Sequence, residues 1–527
     1  MKKLLLILIV FGAFSCKKDT AIVPATATIN AESKTVNTST EAATIATPNL
    51  AATNITGAYV DVKTQGAKGD GVTDDTQAIT NALLYAKSRN IPNIYFPDGT
   101  YMIGALGHGG GIIKLYNGVG MMGNSAATCH IKLTGGRYNP NPIFYQDYMG
   151  YPSIGNLVIQ GIDFDGNLAN QKFDSEYQYC HAFKFHSGNN IEVKNCKFQN
   201  FRGDGVLFGD TFTPSLNIRI VRDASVHDNE FFNIYREGAM FCSVDGAKFY
   251  NNYVHGNGYL VGGVDIERHS VNESVLNVSV YNNTFNFTDG YGPIERGGPQ
   301  AKYRRAVTIG FFYEGYTNAI CDSLSGHHLI YNNKIYQGQI DCWGVANVSI
   351  SGNTITNTYE NITGIHFLTA PAINVSDPGN TKGLIKASVD NNIINSAIGN
   401  GILFNNYSQA QANANIITGT PADGINLIST NGWFYGNSIS DAGTKGKPAA
   451  GFVISGNSTA LTIINNQVSS TKTGLSRTTD YVVKIVGYNT GNAPKVINNK
   501  ATNLLNGIIL LFYAQPNLAE LVNNLFS

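Results

Sequence analysis

The chain has 527 residues, its 36 basic side chains are balanced by 36 acidic ones, and only 14% of its residues are charged. With 57 glycines and an aromatic share of 11%, it lacks the high net charge and aromatic poverty of a disordered chain. Zero net charge gives no electrostatic basis for binding nucleic acid or an anionic membrane, and the length suits either several globular domains or one repeat array.

Lys2 and Lys3 precede an apolar run from Leu4 to Phe14, followed by Ser15 and Cys16. That run of about eleven residues falls short of the roughly 20 that cross a bilayer, so residues 1–16 read as an export signal. The segment resembles a bacterial lipoprotein signal. The resemblance implies that Cys16 carries the lipid and that the exported chain is held at the outer membrane by this anchor alone, on a face the sequence does not specify. Residues 17–56 are rich in Thr and Ala and read as a flexible tether, leaving 57–527 as the folded domain. Cys129, Cys180, Cys196, Cys242, Cys321 and Cys342 show no CxxC pairing, so no metal site is expected of them. Their scatter suits buried single cysteines as well as disulfides.

The folded domain opens with a cap at 59–103. A short strand and a Gly/Asp turn precede a helix, with Asp74 as the expected N-cap, Gln77 three residues on, and Ala78, Ile79, Ala82, Leu83 and Ala86 as its apolar stripe. A helix so placed can cover the first edge of a β array. The run DVKTQGAKGDGVTDDTQAI, with IYFPDGTYMI after it, resembles the N-terminal signature of the pectate-lyase-like, rhamnogalacturonase/epimerase-like superfamily. That resemblance implies a single-stranded right-handed parallel β-helix and leaves the reaction open among hydrolases, lyases, epimerases and tailspikes. Asp70, Asp74 and Asp75 read as turn and cap residues.

Repeats support the same all-β architecture independently. Short strands running into Asn recur, among them SVHDNEF (225–231), SVYNNTF (279–285), LIYNNKI (329–335), SVDNNII (388–394) and TIINNQV (462–468). Uninterrupted spacings of about 20 to 25 residues without helices predict a solenoid of about twelve coils, with asparagines laddered from coil to coil. At the usual strand spacing such a rod is about 50–60 Å long.

A second strand in each coil starts at or near Gly, as in DGVLFGD (204–210), GGVDIER (262–268), NGILFNN (400–406) and NGIILLF (506–512). Alternation places every second residue outward. The outward column is bland in the late coils, at Leu403, Asn426, Val453 and Ile509. In the middle, the column and its flanking position carry Lys184, His186, Asp204, Glu237, Asp265, Glu267 and Arg268, with Arg304, Arg305, Asp341 and His366 beyond. This concentration of ionisable groups marks the expected site, against the plain alternative that acids and arginines merely solvate an exposed sheet. Tyr303 and Tyr313, in long inserts beside it, are expected to offer ring faces to sugars.

Asp204, Glu237, Asp265 and Glu267 are the candidate acid and base of glycoside hydrolysis, because clustered carboxylates raise one member's pKa and leave another ionised. Lys184, His186, Arg268, Arg304, Arg305, Asp341, His366, Tyr303 and Tyr313 are the candidate substrate contacts. Polygalacturonases of the same superfamily carry an Asp pair where this chain has GDGV, a histidine where it has Glu237, and a basic motif where it has Asp265 and Glu267. Pectin hydrolysis by that machinery is therefore not expected. Hydrolysis of another complex polysaccharide needs no cofactor. The alternative, a lyase or uronate epimerase, would use Lys184, Arg268, Arg304 and His366, with Ca²⁺ bridging acids and uronate. A non-catalytic glycan-binding β-helix is the third reading, and the sequence sets no oligomeric state.

Overall fold

The computed structural model describes residues 50–526 apart from 105–110, 148–152, 175–176, 210–219, 257–261, 269–272, 289–303, 312–324, 358–370, 377–385, 397–398, 445–447, 459, 474–476, 487–493, 505 and 513–519. Thr47–Ser527 is one compact unit, distinct from Met1–Ala46. Its described strands form three parallel sheets, of 18, 16 and 14 strands. One coil feeds each sheet in turn. Gly188–Lys194 lies in the first, Lys197–Gln199 in the second and Val206–Phe208 in the third, before Val221–His227 returns to the first. This is the expected right-handed parallel β-helix.

The turn from the first sheet to the second explains the Asn-rich signature. Its leading residue is left-handed: Asn251, Asn282, Asn332, Asn391 and Asn465 have φ between 54° and 57°, a region Asn tolerates better than other side chains with a Cβ. The following residue is the ladder asparagine. Asn283 Nδ2 donates to Phe249 O at 2.9 Å and to Asn333 Oδ1 at 3.0 Å, and the pattern repeats through Asn353, Asn392, Asn415, Asn437, Asn466 and Asn499. Replacing Asn332 by Val is expected to cost about 1–2 kcal/mol while Asn332→Gly is near neutral, read as urea midpoints.

The number of rungs exceeds the expected twelve. Sheets of 14 and 16 strands extend about 62 and 72 Å at about 4.8 Å per strand, longer than the rod expected from sequence. The rungs beyond the expected number include Gly99–Ile103, Cys129–Leu133 and Asp163–Asp165, which precede the first Asn-ending strand at 192–198. The turn before Asp163 has Gly161 as its left-handed residue, with φ 70°.

Inward residues stack in rows. Phe164, Phe198 and Phe231 follow one another at 5.2 and 5.0 Å between ring centres, and Phe185, Phe208 and Phe241 at 5.2 and 5.5 Å. Glycine at the starts of third-sheet strands reflects close approach between coils: a Cβ on Gly263 would lie 1.9 Å from Ala306 O, and one on Gly424 2.7 Å from Gly451 O. Cys129, Cys180, Cys196, Cys242 and Cys342 are buried and free; Cys321 lies outside the described residues.

The cap helix spans Thr76–Arg89, and Ile79, Ala82, Leu83 and Ala86 are buried in the common core, with Ala78 packed against it. Its first residues differ from expectation. Asp75 is the N-cap by backbone position, but its carboxylate accepts from Lys68 N and Gly69 N at 2.6 and 3.0 Å, tying down the preceding turn. Asp74 Oδ1 instead accepts from Thr76 N at 3.0 Å, and Gln77 bonds to Asn81 rather than reaching back. Asp70 accepts from Val72 N and Thr73 N, so all three acids are turn and cap residues.

Candidate functional site

Register on the third sheet fixes the outward column as Lys184, Leu207, Met240, Asp265, Thr308, Asp341, Asn374, Leu403, Asn426, Val453 and Lys484. Its last member is Leu510, which pairs with Lys484, and not Ile509, which pairs with Val483. An additional residue in this coil shifts the alternation by one relative to the Gly-based alignment. Leu207, Met240, Asp265, Thr308 and Asp341 are all buried, so the middle of this face is covered rather than the open surface expected.

Asp204 and Glu237 do not lie in that column. They occupy the bends just before their strands, where His181 holds the same place one coil earlier, and all three are essentially inaccessible. His181 Nδ1 is 2.9 Å from Asp204 N and 3.1 Å from Asp204 Oδ2. Glu237 N donates to Asp204 Oδ1 at 3.3 Å. Arg236 Nε sits 3.5 Å from Asp204 Oδ1 and 3.2 Å from Glu237 Oε2, and its Nη2 reaches Met240 Sδ at 3.2 Å.

These contacts divide the protons. Burial raises the Glu237 carboxyl well above its ordinary range, and the Asp204 and Asp265 charges add to this against the pull of Arg236. Burial alone would raise Asp204 too, but Arg236, a hydrogen bond from Glu237 and His181 together hold it below the usual carboxylate range. Burial pushes the His181 ring down, with Asp204 opposing. Arg236 stays charged: Asp204, Glu237 and Asp265 outweigh its desolvation. The cluster thus sets Glu237, a carboxyl pushed up by burial, beside Asp204, one held down, with the Arg236 guanidinium against both.

Asp265 and Glu267 lie on Gly262–Arg268 and share its outward face; Glu267 is half-buried and pairs with Gly310. Arg268 falls on the opposite face with Ile266, is 2% exposed, and donates from Nε to Glu273 O at 2.6 Å. It is a structural residue, which corrects its expected substrate role; strand alternation is the reason. Two coils on from Asp265, Asp341 meets Arg305 Nε at 2.8 Å and Asn374 Nδ2 at 2.7 Å. Burial raises the Asp341 carboxyl, with Arg305 and Asn374 acting against it. The Arg305 guanidinium also covers the Trp343 ring, 4.9 Å from its centre.

Lys184 is half-buried in the outward column, and His186, buried two residues on, donates its backbone N–H to Gln146 Oε1 at 2.8 Å. Arg304 lies in the strand Arg304–Phe311, but its side chain, like Tyr303, Tyr313, His366 and Cys16, lies outside the described residues. His327 is exposed. Among the described residues, no three His, Cys, Asp or Glu side chains are grouped to hold a metal ion, and no helix is long and apolar enough to cross a membrane.

Sequence reasoning missed His181, Arg236, Thr308 and Trp343. For His181 a signal existed, since HAFKFHS starts its coil as DGVLFGD and EGAMFCS start theirs. Thr308 is the outward residue of RAVTIGF by the same alignment, but a hydroxyl carries no charge to draw notice.

Residues 59–290 match the family described as rhamnogalacturonase A/epimerase, pectate lyase-like, as the opening segment led us to expect. Mannuronan C5-epimerase AlgE1 of Azotobacter vinelandii is 26% identical over 202 residues, 38% of this chain and 14% of that protein. The uncharacterised protein YclG of Bacillus subtilis is 25% identical over 238 residues, 42% of this chain and 40% of that one. The chain therefore matches less than half the length of these relatives. Among solved structures, the tailspike protein of E. coli bacteriophage HK620, in complex with a pentasaccharide, superimposes with a TM-score of 0.53 at 13% identity, covering 89% of this chain and 78% of the tailspike. This likeness is one of fold.

Proposed function

We propose that this chain is an exported polysaccharide-active enzyme, tethered through a lipid on Cys16, that hydrolyses glycosidic bonds by carboxylate acid–base catalysis. The observation that carries the reading is the cluster of Asp204 and Glu237 around Arg236, 3.5 and 3.2 Å from its Nε, with Asp265 close enough to influence it. These surroundings push the Glu237 carboxyl up and hold Asp204 down. Carboxyl groups whose surroundings separate their pKa values are the pattern of an acid and base pair. Glu237 is buried in the free protein, so this reading requires a bound saccharide to displace the cover of this face; Glu237 then gives its proton to the leaving glycosidic oxygen as the C–O bond breaks. Asp265 takes the proton of the attacking water, or attacks the anomeric carbon itself, according to the carboxyl separation at the sugar. Asp204 is a positioning residue that keeps the Glu237 proton in place, and Arg236 keeps Asp204 ionised. Glu267, about 7 Å along the strand from Asp265, is the second carboxylate a bound sugar would meet. Lys184 and the Arg305–Trp343 pair flank the row and supply polar and aromatic contacts to the saccharide.

The match to mannuronan C5-epimerases favours a second reading. There the substrate is a polyuronate, Lys184 and Arg305 hold its carboxylate, and a base removes the neighbouring carbon-bound proton before another group returns one.

The products decide between these. We expect the full chain, incubated with neutral, uronate and sulfated polysaccharides in EDTA and again with Ca²⁺, to release reducing ends without unsaturated, ultraviolet-absorbing sugars. Changed uronate composition without cleavage would assign the epimerase, unsaturated products a lyase, and binding without products the non-catalytic reading.

A further inference from the structure

The first sheet carries a groove of about 630 Å³ on the late coils, on a different face from the acidic row. Ser349, Lys386, Ser388, Gln409, Gln411 and Trp433 are among its lining residues. Register sets Ser349, Ser388, Gln411 and Trp433 side by side on four successive coils. Gln411 Nε2 donates to Ser388 Oγ at 3.0 Å and lies 3.3 Å from Asp390 Oδ2, so the floor is an ordered row of hydroxyl and amide groups.

Trp433 is 64% exposed, and Tyr435, two residues along the same outward face, is 49% exposed. Earlier coils of this sheet also carry outward rings, but Tyr250, Tyr281 and Tyr331 stack on one another at 4.8 Å. Tyr250 and Tyr281 have a ring on each face, His227 completing the stack on Tyr250, which makes them a structural ladder. Trp433 stands between Gln411 and Thr462, and among the described residues no ring or cation covers its indole. A large ring left bare on a sheet loses the burial that would repay its exposure.

We propose that this groove is a second glycan-binding site, which takes a neutral polysaccharide chain lying along the solenoid across successive coils. Indole offers a flat apolar face to the C–H face of a pyranose ring, while the Ser and Gln side chains both donate to and accept from its hydroxyls. Lys386 is the one charged residue in the described lining, so the groove lacks the cationic density that would select a polyanion. A second copy of the chain fits less well, because Trp433 is the one large apolar side chain in that lining and stable protein interfaces have apolar cores. The site holds polymer to the solenoid independently of the acidic row and does not rest on the reaction proposed there.

The test is affinity electrophoresis of the full chain through gels containing glucomannan, xylan, β-1,3-glucan, alginate or polygalacturonate, with sedimentation in parallel. We expect retardation by at least one neutral polymer, weakened about tenfold or more by Trp433→Ala. Trp433→Phe, which keeps a ring, restores much of it, and Glu237→Gln leaves it unchanged. Four results would each overturn the proposal: no retardation by any neutral polymer, equal retardation of Trp433→Ala, loss of retardation in Glu237→Gln but not Trp433→Ala, or a dimer that Trp433→Ala abolishes without glycan.

Discussion

Glu237→Gln is expected to lower kcat by about 10²–10⁴ while changing KM little, because it removes a transferable proton and leaves the shape of the site intact. The amide of Gln still donates to Asp204, so the buried cluster keeps its hydrogen bond and its charge balance. The pH dependence of stability gives an independent readout. The Glu237 carboxyl is raised in the fold, chiefly by burial. Its contribution is fully present below the ordinary Glu value of about 4.3 and is lost as pH rises through the raised one. Gln has no proton to lose, so the variant should gain stability relative to the parent as pH rises from about 4 toward 8. Paired urea titrations across that range and initial rates on the cleaved polysaccharide measure both effects. Full activity in Glu237→Gln removes the proposed proton donor. Lost activity with no pH-dependent gain in stability means that the proton is not held as described.

Asn353→Leu is expected to destabilise the solenoid by about 3–5 kcal/mol, since each orphaned buried polar group costs about 1–3. The Asn353 side chain makes four ladder bonds. Its Nδ2 donates to Ile330 O and Asn392 Oδ1 at 2.9 and 3.0 Å, and its Oδ1 accepts from Asn333 N and Nδ2 at 3.0 and 2.9 Å. Leucine matches the volume and satisfies none of them, stranding partners on both neighbouring coils. Asn524→Leu, at the partly exposed end of the ladder, should cost far less because water can replace the lost bonds. Hydrogen exchange should show lost protection in the coils on either side of Asn353, since a solenoid transmits damage to its neighbours first. Equal effects at the two positions would mean that the ladder does not hold the coils together.

The ladder was legible in the sequence because each turn repeats one local requirement: a left-handed residue followed by an amide side chain. In the coils before residue 192 the left-handed place can be taken by glycine, as at Gly161, so they carry no asparagine signature and the count of coils ran short. The site was legible only by its composition. Asp265, Glu267 and Asp341 stand where alternation put them, but alternation cannot tell whether an outward side chain meets solvent, and Asp265 and Asp341 are buried. Arg268 shows the same limit in reverse: its charge suggested substrate, while its parity turned it inward to Glu273 O.

A nearly neutral, glycine-rich chain of 527 residues by itself determined the parallel solenoid, its capping helix and the asparagine turns, because each depends on residues adjacent in sequence and repeated coil after coil. Only the tertiary structure decided which ionisable groups meet. Arg236, Asp204 and His181 come from three different coils, and the Glu237 carboxyl is pushed up by burial and by charges that stacking brings together. Proximity between coils depends on register and insert length, which no single stretch of sequence encodes.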